Sequence, residues 1–252
     1  MSAERTQALP IEASPPGLDH AQAQVIHHII RDCVERGILG RQTDSFDVDK
    51  IAWLSAALTS SDYALAKMRG ARRFASNYEL LSFALSLAPD EGLFLEFGVF
   101  SGKTINHIAR QRPQSTIYGF DSFEGLPENW RPGFPKGAFS MPRLPDVHGN
   151  VELVPGWFDR TLPEFCAKHR HAKAAFIHVD CDLYASTQTV LSALKQQIVP
   201  GTVMVFDEYF NYPEWQKHEA KALREFCESN MAHYEYVGLV PHHQQVAIRI
   251  LG

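Results

Sequence analysis

Two short acidic runs hold the residues best suited to chemistry. One reads His178-Val179-Asp180-Cys181-Asp182-Leu183-Tyr184, the other Phe206-Asp207-Glu208-Tyr209. Each continues an apolar stretch of strand length, AAFIHV over 174–179 and GTVMVF over 201–206. Neighbouring parallel strands would carry Asp180, Asp207 and Glu208 to one rim. Carboxylates that close repel one another and take up protons unless a cation joins them. Oxygen ligands with an open position suit Mg²⁺, Mn²⁺ or Ca²⁺. The competing reading is that one or two of these acids cap helices. His178 lies within its strand, two residues before Asp180, and is either a core residue or part of the site.

A second group surrounds a glycine turn. After the apolar run LFLEF (93–97) the chain reads Glu96-Phe97-Gly98-Val99-Phe100-Ser101-Gly102-Lys103-Thr104. Glycines at 98 and 102 allow a tight turn and a close backbone approach to a ligand. A helix beginning near Thr104 offers free N–H groups to an anionic group. Gly102-Lys103-Thr104 imitates the end of a phosphate-binding loop, but the glycine spacing is one residue short and Glu96 would repel a triphosphate. A nucleotide hydrolase is therefore the alternative rather than the first reading. Asp121, at the end of the next apolar run (TIYGF, 116–120), stands about 25 residues after Glu96, the usual offset for an acid that accepts from ribose hydroxyls.

These positions need strands to hold them. Runs at 93–97, 116–120, 151–154, 174–179 and 201–206 alternate with helical patterns at 104–110, 162–169, 186–197 and 214–230. Such alternation predicts a parallel α/β sheet with helices on both faces. The runs 234–239 and 245–251 predict a terminal hairpin, hence an antiparallel edge. In open sheets of this kind ligands bind beyond the carboxyl ends of the strands, where both groups fall. Upstream, helices are expected over 21–36, 47–58 and 77–87. The basic stretch 67–73 reads as a solvated helix face, or as a grip for a substrate anion. Residues 124–150 fit no element. They hold five of the 15 prolines together with Trp130, Phe134, Phe139 and Met141. Aromatics among prolines point to an ordered lid rather than a linker. His27-His28 and His242-His243 read as surface residues.

The chain has 252 residues, enough for one large domain with appendages. The expected division is a tail over 1–19, a helical cap or dimerisation region over 20–90, and a catalytic domain over 91–252. Its composition, 45% hydrophobic and 21% charged, is that of an ordinary globular protein. A net charge of −5 argues against a general nucleic-acid binder. The start has acids and prolines where a secretion signal would be basic and then apolar, and no run is long enough for a membrane span. The four cysteines form no C-x-x-C pair, so reduced thiols and a cytoplasmic location are expected.

Four stretches, LEFGVFSGKT, GFDSFEGLPE, PGWFDRTLPEF and HVDCDLYAST, with VFDEY after them, resemble the macrocin O-methyltransferase family of S-adenosylmethionine enzymes. The layout is similar, more distantly, to catechol O-methyltransferase. The resemblance implies a Rossmann-like class I methyltransferase fold with strand order 3-2-1-4-5-7-6 and the last strand antiparallel. It implies bound S-adenosylmethionine, with Glu96, Gly98 and Gly102 at its methionine end and Asp121 at the ribose. Phe97 and Thr104 belong to the same cofactor loop. Ser122 and Phe123 would flank the adenosine, and Gly156, Trp157 and Phe158 the adenine. Asp180, Asp207 and Glu208 match the metal positions, although many relatives have two Asp where this chain has Asp207-Glu208. Where the catechol enzymes have a lysine base this chain has Leu183, so the base is open; Asp180 or His178 could take the proton, directly or through water. The acceptor implied is a small molecule, a vicinal diol on a sugar or other secondary metabolite, and a homodimer is expected. Metal-independent N- or O-methylation and a non-catalytic cofactor-binding module remain open.

Overall fold

A computed structural model of the chain describes residues 46–251, with scattered positions of a helical stretch between 22 and 37. The expected tail over 1–19 and His27 lie outside the described residues, and His28 is exposed on that stretch. The chain forms two compact units, Met1–Leu54 and Ser55–Gly252, and all the strands belong to the second. No helix among the described residues is long and apolar enough to cross a membrane.

Eight strands make one sheet. They are β1 (Arg72–Arg73), β2 (Leu93–Phe97), β3 (Ile117–Asp121), β4 (Val151–Pro155), β5 (Ala174–Val179), β6 (Val203–Phe206), β7 (His233–Leu239) and β8 (Val246–Leu251). Their order is β1-β7-β8-β6-β5-β2-β3-β4. Counted from β2, that is the expected 3-2-1-4-5-7-6. Only β8 runs antiparallel to its neighbours. The addition is β1, which pairs parallel with β7 at the far edge. It takes up Arg72 and Arg73 of the basic stretch. The Arg72 guanidinium covers the Phe74 and Phe83 rings at 5.2 and 5.3 Å.

The helices are α1 (Val48–Lys67), α2 (Asn77–Leu87), α3 (Lys103–Gln111), α4 (Phe158–Lys168), α5 (Tyr184–Ala193) and α6 (Glu219–Asn230). Helix α1 runs past the expected end at 58, because nothing breaks it before Gly70. Helix α2 has the expected bounds, and the Ser76 hydroxyl caps it by accepting from the Glu79 N–H. The helix expected over 214–230 divides into a 3₁₀ turn, Trp215–Lys217, and α6.

Strand alternation sends side chains into two cores. Leu95, Phe97, Ile177, Val179, Met204 and Phe206 pack with α4, α5 and α6 on one face. Phe94, Phe176, Val203 and Val205 pack with α2 and α3 on the other. Glu96 and His178 therefore point to the α2–α3 side, and register makes them direct neighbours. Gly119 lets β3 approach α3 closely. A Cβ there would come within 2.4 Å of Ile105 Cδ1 and 2.9 Å of Val99 Cγ2. Gly119→Ala should lower stability by about 1–3 kcal/mol through this overpacking. Urea unfolding checks this, and an unchanged midpoint would show that the contact relaxes freely.

Candidate active site

The carboxyl ends of β2 to β6 open onto a cavity of about 760 Å³, a size usual for cofactor and small-molecule sites. Its wall includes Gly98, Asp121, Ser122, Gly156, Trp157, Phe158, Asp180, Asp182 and Glu208. Gly98 turns the chain after β2 at φ +92°, and a Cβ there would lie 1.7 Å from the Asp180 carbonyl oxygen. The loops after β2 and β5 touch through this glycine, so no other residue fits.

Asp121 fixes the same turn. Its Oδ2 accepts from the Val99 and Phe100 N–H groups, each at 2.8 Å, and Oδ1 from the Phe123 N–H at 2.7 Å. The remaining residues expected around the cofactor lie behind the wall. Phe97 is buried and stacked on Phe120, and Phe123 is buried in the core. Gly102 caps α3 in a left-handed conformation. Glu96 is fully buried, its Oε1 accepting from the Thr104 hydroxyl at 2.9 Å. These residues shape the loop from behind.

Glu96 begins a buried chain of charges. Its Oε2 lies 3.2 Å from His178 Nδ1, and His178 Nε2 lies 3.8 Å from Asp207 Oδ1. Asp207 Oδ2 accepts from the Gln245 side chain at 3.0 Å. Burial opposes a charge on His178, but the Asp207 and Glu96 carboxylates outweigh it and hold its pKa well above the usual value. His178 is fully buried and is not on the cavity wall. Its Nε2 faces Asp207 but is buried without a hydrogen-bond partner among the described residues.

The acids around it are not all compensated. Burial is the largest effect on Asp180 and Glu208, and Asp207 adds repulsion, so both stand well above the ordinary carboxylate range. Glu219 of α6, fully buried, is raised for the same reasons, and its Oε2 accepts from the Glu208 N–H at 3.0 Å. Asp182, at φ +63°, is pushed up to about 7 by burial, which outweighs the opposing pull of Arg131. Asp207 alone is lowered, since His178 and Gln245 overcome the burial.

Ligand-type atoms of Asp180, Asp182 and Glu208 all lie within 4.8 Å of one another, as do those of His178, Asp180 and Asp207. Glu208 Oε2 is buried without a hydrogen-bond partner among the described residues. An all-oxygen donor set with an orphaned carboxylate oxygen fits a hard divalent cation. Asp182, Glu219 and Arg131 were not singled out in the sequence. The second acid of the Asp180-x-Asp182 pair was the available signal for one of them.

The proline-rich stretch forms the facing wall through Gly125, Leu126, Pro127, Trp130, Arg131, Phe134 and Phe139. It is ordered by its own backbone bonds, Leu126 N–H to Ala138 O and Trp130 N–H to Phe134 O among them. His242 and His243 are exposed in the β7–β8 turn, as expected.

The strand order, the glycine turn after β2 and the acids after β5 and β6 define a Rossmann-like fold of the class I methyltransferase type. Residues 95–209 match the family described as "Methyltransferase domain". That match, over somewhat less than half of the chain, is to a methyl-transfer family rather than to a nucleotide hydrolase. It is 32% identical over 113 residues to an 8-demethyl-8-(2,3-dimethoxy-alpha-L-rhamnosyl)-tetracenomycin-C 4'-O-methyltransferase of Streptomyces olivaceus. That alignment covers 37% of this chain and 41% of the relative, so the chain spans about two fifths of that relative's length. The calicheamicin methyltransferase CalS11 superposes with a TM-score of 0.56 at 20% identity, over 98% of this chain and 99% of its own. The O-methyltransferase NovP does so with a TM-score of 0.53 at 19% identity, over 70% and 80%. Both structures show the fold.

The raised acids fix the sign of a pH effect. In the unfolded chain Asp182 ionises near 3.8, whereas in the folded chain it holds its proton to about 7. Between those values the folded state binds more protons, so stability falls as pH rises. The melting temperature of chelator-treated protein should therefore fall between about pH 4 and 7. Added Mg²⁺ should raise it more at pH 7.5 than at pH 5.5. An equal Mg²⁺ effect at both pH values would contradict the cluster's protonation.

Proposed function

We propose that this chain is an S-adenosylmethionine-dependent O-methyltransferase that acts on a sugar hydroxyl of a natural product, assisted by a divalent cation. One observation carries the reading. The glycine turn after β2 and the uncompensated acids after β5 and β6 line the same cavity. The rhamnosyl-directed name of the Streptomyces relative supports the acceptor class.

S-adenosylmethionine, when bound, supplies an electrophilic methyl group on a sulfonium. Gly98 and Gly156 offer backbone without side chains to it, and Asp121 holds the turn in shape. Trp157 and Phe158 give flat apolar surface for the adenine. A divalent cation, when bound, supplies positive charge that makes an alcohol easier to deprotonate. Asp180 and Glu208, both on the cavity wall, are the residues proposed to hold it; Asp207, the expected third ligand, lies beside Asp180 but off the wall and is not grouped with Glu208.

Asp182 is the proposed general base, in place of Asp180 or His178. It lies on the cavity wall. A base must reach the substrate hydroxyl, and this acid is open to it. Residues 124–150 are proposed to act as a lid that keeps water from the reacting groups. Holding acceptor and cofactor together supplies much of the rate.

Released S-adenosylhomocysteine, measured with rhamnosyl acceptors, tests the reading. Asp182→Asn should lower kcat by roughly 10²–10⁴ while S-adenosylmethionine binding persists. Chelation should abolish turnover, and Mg²⁺ should restore it. Full activity in chelator would point to metal-independent methyl transfer. Full activity of Asp182→Asn would assign the base elsewhere.

A further inference from the structure

Arg131 takes no part in the steps above, yet it stands on the cavity wall. Its guanidinium carbon lies 3.8 Å from the centre of the Trp130 ring, and 5.1 and 5.2 Å from those of Phe134 and Tyr212. One terminal nitrogen donates to Gln244 Oε1 at 3.2 Å. Among the described residues this is its one hydrogen bond; no carboxylate forms a direct ion pair with it, although its charge pulls the Asp182 pKa down. A guanidinium carries a planar fork of five N–H donors. Stacking against rings holds that plane while leaving the donors at its edge available.

Its location narrows the ligand. Tyr212 follows β6, and Gln244 lies between β7 and β8, so Arg131 is anchored beside the acidic half of the cavity. The loops proposed for the cofactor follow β2, β3 and β4, at the other half. Arg131 therefore borders the acceptor space. The remainder of the wall carries the acids Asp121, Asp159, Asp180, Asp182 and Glu208, none of which offers an anion a positive partner. Arg160 is the other cation on the wall, on α4 beside the proposed adenine residues. A fixed cation that feels Asp182 but keeps most of its N–H donors free of a direct ion pair is what this wall offers to an anionic acceptor.

We propose that Arg131 binds a phosphate or carboxylate group on the methyl acceptor, and so selects anionic acceptors over neutral ones. The assignment rests on the methyl-transfer reading. The forked donors suit either anion, each of which can take two parallel hydrogen bonds. A nucleoside-diphosphate sugar and a uronic acid glycoside are the two sources of such a group.

The test uses one hexose in three forms: its neutral methyl glycoside, the matching uronic acid and its nucleoside diphosphate. Wild type should show kcat/KM at least about tenfold higher for one of the anionic forms, the preferred form identifying the source. R131M should collapse the anionic-to-neutral ratio through KM, and R131K should keep part of it. A neutral acceptor used as well as both anions by wild type would overturn the proposal. So would an R131M variant that loses activity on all three forms equally, since that is the signature of a lid contact. Calorimetry with the uronic acid and the nucleoside diphosphate, on wild type and R131M, separates this idea from the methyl-transfer reading. Weaker anion binding in R131M supports the arginine's role even without turnover, whereas equal binding overturns it. Absence of turnover on any form, with S-adenosylmethionine bound, counts against methyl transfer instead.

Discussion

One buried imidazole holds the acidic end of the sheet together. Glu96, Asp180, Asp182, Asp207, Glu208 and Glu219 gather around the carboxyl ends of β2, β5 and β6, and His178 is packed among them, its pKa held well above the usual value by Asp207 and Glu96. An unpaired buried charge is costly, and acids so placed otherwise keep their protons. His178 is neighbour to Glu96 on one side and Asp207 on the other. It ties the strand that begins the cofactor turn to the strand that ends in Asp207 and the proposed metal ligand Glu208. Asp207 stays ionised as a result, while Asp180 and Glu208 remain uncompensated. That imbalance is what the proposed divalent cation would relieve.

The sheet decides which acids meet. Glu96 and His178 share a face because they sit on neighbouring parallel strands in register. Asp207 falls on the same face by alternation from Val203 and Val205. Thr104, in the first turn of α3, reaches Glu96 because α3 packs on that face. Asp180 and Glu208, beyond the strand ends, turn into the cavity. Gly98 then brings the β2 loop against the Asp180 backbone, so the turn and the acids form one wall.

Much of this was legible in the sequence. Strand–helix alternation and the terminal hairpin foretold a parallel sheet with one antiparallel strand, and the family resemblance supplied its order. The acids after β5 and β6 were found because strand ends are where such sheets bind ligands. Other features depended on contacts that spacing does not record. Two arginines make too short a run to read as β1, which exists because β7 offers an unpaired edge. Glu96 looked like a ligand contact, but its neighbours in space, Thr104 and His178, satisfy it first. His178 looked like a possible base until its two carboxylate partners and complete burial were seen. Glu219 and Arg131 lie on α6 and in the proline-rich stretch. Their closeness to the site arises from packing across the cavity, which no local pattern encodes.

The central claim is that the acids after β5 and β6 form a single divalent-cation site. Mn²⁺ bound to the purified protein, counted by electron paramagnetic resonance, tests it most directly. One Mn²⁺ per chain is predicted for wild type, with binding weakened at least about tenfold by Glu208→Gln, which removes a charged ligand. No bound Mn²⁺, or equal binding in Glu208→Gln, would contradict it.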